Sequence, residues 1–140
     1  MKLKSLIAVI ITVLTVNFAK AQVNTEYYKN SEVIFCEDVV DGSAVNASST
    51  FTIGANGGYV QVQVDNGKAM KTTQLIVDVW KKSSTGEYDK FVETKKFDIK
   101  ATWDSPFFEY TFYKAGKYKL SIYNEDEVFI NSGYVTINMK

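Results

Sequence analysis

The chain has 140 residues, 46% hydrophobic and 14% aromatic, with 16 basic and 16 acidic side chains and no histidine. Every basic residue is a lysine, which excludes histidine-dependent nucleophile triads and histidine-ligated metal sites. It also removes the arginine forks that phosphate and guanine contacts favour, so nucleic acid is not among the expected partners.

The first segment reads as an export signal. Lys2 and Lys4 start it, residues 6–16 are almost wholly apolar, and Ala19 and Ala21 place small residues at the cleavage positions. The apolar run is shorter than the ~20 residues of a bilayer span, so cleavage after Ala21 is expected rather than anchoring. A lipoprotein would need a cysteine at the cut, and the single cysteine is Cys36. The expected organisation is a signal peptide over 1–21, a flexible leader over 22–30 and one domain over 31–140. The expected address is outside the inner membrane: periplasmic, cell-surface or extracellular. The mature chain would carry thirteen lysines against sixteen carboxylates, a net charge of −3.

From residue 31 the pattern becomes period two. Cys36 lies in the apolar run Val33-Ile34-Phe35-Cys36 and reads as a small core residue, with no second cysteine to pair with. The run from Tyr59 to Val64 alternates valine with glutamine, the signature of a half-buried strand. Leu75, Val77 and Val79 form the next apolar face, followed by Phe108, Tyr110 and Phe112, by Tyr118, Leu120 and Ile122, and by Val135, Ile137 and Met139. Strands are placed near 32–37, 49–53, 58–65, 73–82, 88–99, 106–114, 117–124 and 127–139. Turn signals such as Asp41-Gly42, Gly57-Gly58, Asn66-Gly67 and Ala115-Gly116 separate them. No helical periodicity competes, so the expected fold is all-β: a two-sheet antiparallel immunoglobulin-like sandwich of seven or eight strands. The stretch Gly116-Lys117-Tyr118 resembles a tyrosine corner, and an ordinary half-buried strand tyrosine is the alternative.

Four features together carry a resemblance: the lysine-rich signal ending in Ala21-Gln22, Phe35-Cys36-Glu37-Asp38, Trp103-Asp104 and Gly116-Lys117-Tyr118. From Val33 to Met139 the chain resembles small secreted β-sandwich proteins of Bacteroidota-type bacteria. That resemblance implies an exported address and a sandwich fold, and it supplies no catalytic residue.

Three sets of residues are candidates for chemistry. Glu37, Asp38 and Asp41 offer oxygen ligands at loop spacing, so calcium is the one cofactor considered; solvated turn acids are the competing reading, and within a strand Glu37 and Asp38 would face opposite ways. Glu125, Asp126 and Glu127 form a second acidic run. Paired carboxylates raise glycan hydrolysis, but nothing in the sequence fixes a separation, and no catalytic residue is assigned. Tyr59, Trp80, Phe107, Tyr113, Tyr123 and Tyr134 fall opposite the apolar face of their own strands, where rings can stack on sugars or anchor a protein. Trp103 precedes Asp104-Ser105-Pro106, and Pro106 cannot donate to a central ladder, so Trp103 is expected on a connection. Trp103, Trp80 and Tyr123 are therefore the candidate ligand-binding residues. Asn46-Ala47-Ser48 matches a glycosylation acceptor, which in a bacterial chain is a chance match. The expected function is a non-catalytic binding or interaction module for a protein or glycan partner. The alternative is a calcium-assisted carbohydrate-binding or glycan-hydrolysing domain.

Overall fold

The computed structural model describes residues 23–140; the expected signal peptide and the cut before Gln22 lie outside them. A single 3-10 turn, Thr25–Tyr28, precedes ten strands: β1 (Glu32–Cys36), β2 (Asp38–Val40), β3 (Ser43–Val45), β4 (Thr50–Ile53), β5 (Gly58–Asp65), β6 (Gln74–Lys81), β7 (Lys90–Asp98), β8 (Phe107–Phe112), β9 (Gly116–Tyr123) and β10 (Phe129–Met139). Eight of them match the strands expected from alternation. No helix among the described residues is long and apolar enough to cross a membrane.

The strands form a three-stranded sheet, β1-β5-β8, and a five-stranded sheet, β4-β10-β9-β6-β7. All pairings are antiparallel except β4 with β10. The chain crosses between the sheets five times: from β1 to β4 by way of the short strands β2 and β3, from β4 to β5, from β5 to β6, from β7 to β8, and from β8 to β9. This is the Greek-key wiring of an immunoglobulin-like sandwich, so the fold class is the expected one. Alternation decides the facing: Val60, Val62 and Val64 of β5 meet Leu75, Val77 and Val79 of β6 and Tyr118, Leu120 and Ile122 of β9 in one buried core. Phe97 stacks on Phe108 with ring centroids 4.1 Å apart, tying β7 to β8 across the two sheets. Where β1 crosses β10, Gly133 has no room for a side chain; a Cβ there would sit 2.5 Å from Val33 Cγ1 and 2.7 Å from Phe35 Cε2.

The tyrosine corner is present. Tyr118 is buried at the start of β9 and its hydroxyl donates to the Lys114 carbonyl at 2.8 Å, pinning the turn that enters the strand. Burial pushes the Tyr118 phenol above its ordinary range, so the hydroxyl stays protonated and able to donate.

Two parts of the fold differ from the sequence reading. Within residues 23–30, expected as a flexible leader, Val23, Tyr27 and Tyr28 pack against the core while the others are exposed. Tyr28 is fully buried and its hydroxyl donates to the Met70 carbonyl at 2.7 Å, while Tyr27 donates to Ala69. The second difference is the hairpin β2–β3, which raises the strand count above seven or eight. Its two-residue loop is Asp41-Gly42, with φ of 50° and 77°. Positive φ at both loop positions marks the turn that matches strand twist, and the Asp-Gly pair tolerates it. The hairpin folds over the outer surface of the small sheet, where Gln63 Nε2 donates to the Gly42 carbonyl at 2.8 Å. Gln61, Gln63 and Cys36 are buried beneath it, so β5 is covered on both faces rather than one. Cys36 is fully buried, and desolvation raises its thiol above the ordinary range, in keeping with the small buried residue expected.

Candidate functional site

The outer face of the five-stranded sheet gathers the largest set of exposed and half-buried rings. Cross-strand register places Phe91 opposite Trp80, Trp80 opposite Lys119, and Lys119 opposite Tyr134. At 4.8 Å per strand, this row spans about 14 Å from β7 to β10. Phe91 meets Trp80 edge to face at 5.1 Å, and Tyr88, from the β6–β7 loop, meets Tyr134 at 5.2 Å. Phe91 is 54% exposed and Tyr134 is 52% exposed. Lys119 Nζ lies 6.0 Å from the Tyr134 ring centre and Lys82 Nζ 5.6 Å from that of Tyr88, so cations flank the row.

A polar row runs beside the aromatic one. Thr94 pairs in register with Asp78, Asp78 with Ser121, and Ser121 with Ser132. Thr94 Oγ1 donates to Asp78 Oδ1 at 2.6 Å, and the Ser121 and Ser132 hydroxyls lie 3.0 Å apart. Beyond it, Tyr123 packs edge-on against Phe129 with centroids 5.6 Å apart, beside a shallow depression that Ile76, Asp78, Lys96 and Glu127 also line.

Trp80 and Tyr123 thus share one face, four residues apart along the register and separated by about 13 Å. Trp103 does not join them. It sits in the connection between β7 and β8, 43% exposed, with Lys100 Nζ 5.9 Å from its ring centre. It lines a depression with the hairpin tip, Asp41-Gly42, and with Asp104 to Phe107. Its main chain is fixed, since its carbonyl accepts from Met70 N at 2.8 Å. Trp103→Ala is therefore expected to cost about 1 to 2 kcal/mol, below the ~3 to 5 of a buried tryptophan. Urea melts check this, and a loss of 3 kcal/mol or more would show a core plug.

The candidate calcium set does not assemble. Among the described residues no three of histidine, cysteine, aspartate and glutamate converge as a metal group. The hairpin is the reason, because it places Asp41 at its tip while Asp38 opens β2 opposite Val45. Glu37 Oε2 accepts from Asn46 Nδ2 at 2.8 Å, and Asp38 Oδ1 accepts from Val39 N at 2.8 Å. The second acidic run is also a structural turn. Glu125 accepts from the Thr73 hydroxyl and main-chain N–H, bonds that hold its carboxyl below the usual range.

Phe91 and Tyr88 are functional-face residues that alternation missed. Phe91 has the same parity as Glu93 and Phe97, which face inward, so strict alternation buries it. A β-bulge between Val79 and Trp80 on β6, with Val92 as the extra residue of β7, turns Phe91 outward.

No protein-family model matches the chain, and no curated protein matches it. Among solved structures, it is similar to a CARDB domain from Pyrococcus furiosus determined in complex with di-metal ions, at 11% identity. The match covers 79% of this chain and 96% of that one with a TM-score of 0.38.

Proposed function

We propose that this protein is an exported, non-catalytic binding module that holds an extended glycan on the outer face of its five-stranded sheet. The observation that carries the reading is the pairing of two parallel rows. Phe91, Trp80 and Tyr134 offer apolar ring faces along about 14 Å, and Thr94, Asp78 and Ser132 offer hydrogen-bonding groups beside them, with Ser121 buried between them. A sugar chain has the same two-sided chemistry, with C–H faces that stack on rings and hydroxyls that need polar partners. The sheet lends rigidity, so little ordering entropy is lost on binding.

The experiment is a glycan array followed by titration of the strongest hit. Phe91→Ala and Tyr134→Ala are each expected to weaken binding tenfold or more, with thermal midpoints near that of the parent because both rings are half exposed. An array with no retained glycan would overturn the reading, as would a hit whose affinity neither variant changes.

A further inference from the structure

A second surface, which meets the aromatic row at Phe91, lies along the side of the sandwich where β7 of one sheet faces β8 of the other. Both are edge strands. β7 carries the usual guards against strand pairing: Lys90, Lys95 and Lys96, and the bulge at Val92. β8, Phe-Phe-Glu-Tyr-Thr-Phe, has no lysine, no proline and no bulge. Its hydrogen-bond phase follows from Val64 N–H, which donates to the Pro106 carbonyl at 2.9 Å. With 106 turned toward β5, residues 108, 110 and 112 also bond β5, and the N–H and C=O groups of Phe107, Glu109 and Thr111 point to the open side.

That open side leads into a groove of about 330 Å³ whose floor is apolar and aromatic, formed by Val92, Tyr110, Phe112 and Tyr118 among others. Lys81, Lys90 and Lys114 line it. Among the described residues the one ion pair is Lys29 with Glu26, so these three ammonium groups have no carboxylate partner. The groove's single carboxylate, Glu93, already accepts from the Tyr110 hydroxyl at 2.6 Å. The groove therefore offers unpaired main-chain donors and acceptors, an apolar floor and a rim with an excess of positive charge.

We infer that the free edge of β8 takes an added strand from a protein partner, an extended segment whose groove-facing side chains include both apolar and acidic residues. Main-chain bonds to Phe107, Glu109 and Thr111 hold the strand, and its side chains of one parity face the groove, where apolar ones meet the floor and carboxylates meet Lys81, Lys90 and Lys114. A second copy of this chain fits the same edge less well. Its own β8 brings one carboxylate, and the register that centres the two copies sets Glu109 opposite Glu109.

The test is selection of displayed nine-residue peptides against the whole domain, followed by fluorescence anisotropy on the selected peptide. Enrichment of apolar and acidic residues at positions of one parity is expected, with affinity that falls as salt rises. Thr111→Pro removes an edge N–H without touching the ladder to β5 and should weaken binding tenfold or more. The pair Lys90→Glu, Lys114→Glu should do the same and decides the matter if the proline variant fails to fold. Peptides without acidic enrichment, or affinity unchanged in both variants, would overturn the inference. So would sedimentation showing a dimer of the parent chain that Thr111→Pro abolishes, which would assign the edge to a second copy.

Discussion

Leu120→Ala is expected to lower the stability of the domain by about 2 to 5 kcal/mol, while Lys119→Ala changes it little. Leu120 is fully buried on β9 between Tyr118 and Ile122, and faces Val79 across the ladder to β6. Truncation there loses the transfer energy of the side chain and leaves a cavity that the surrounding β-branched residues, confined to few rotamers, fill poorly. Lys119 points the other way, onto the outer face beside Tyr134. Urea unfolding of the two variants checks the result. Equal losses would mean that β9 is displaced by one residue, since a slip of one exchanges every facing in the strand.

Tyr28→Ala should be comparably damaging, at about 3 to 5 kcal/mol, although the residue lies ahead of the first strand. Its ring is fully buried at the end of the sandwich, meets Tyr27 edge to face at 5.2 Å, and accepts from Asn124 Nδ2 at 3.4 Å while donating to Met70. Asn124 in turn bonds Asp126 N and Val128 N through its Oδ1, each at 2.9 Å, so the phenol is joined to the β9–β10 turn. Tyr28→Phe separates the two contributions, keeping the packing and losing the hydroxyl at a cost of about 1 to 3 kcal/mol. Thermal melts of the pair provide the measurement. A Tyr28→Ala protein as stable as the parent would show that the residues before β1 rest on the domain without supporting it.

Much of the sandwich was legible because each buried strand obeys a period of two. The valines of β5, the leucine and valines of β6 and the Tyr118, Leu120, Ile122 face of β9 all fell inward as alternation requires. What stayed hidden depends on contacts between segments distant in sequence. Asp41-Gly42 announced a turn, but strands of three residues are too short to show a period, so the hairpin that buries Gln61, Gln63 and Cys36 could not be read. Tyr27 and Tyr28 lie in a polar stretch whose partners, Ala69 and Met70, are 42 residues away. The candidate face was half legible. Trp80 and Tyr123 were identified by facing, yet the bulge that adds Phe91 leaves no trace in local composition, and Tyr88 reaches Tyr134 only because its loop folds back across β9. Trp103 was placed on the right connection, but sequence could not show that this connection adjoins the hairpin rather than the aromatic row.

The parallel pairing of β4 with β10 sets the domain's response to mechanical load. Main-chain bonds along it, from Thr136 N to the Ser49 carbonyl at 2.8 Å through Lys140 N to the Ile53 carbonyl at 3.0 Å, lie across the direction in which the two strands would slide if the chain were pulled from both sides. Tension drawn through residues before β4 and after β10 drags the strands past each other in shear. The bonds then bear the force together and must rupture together, whereas a hairpin pulled open at its mouth yields one bond at a time.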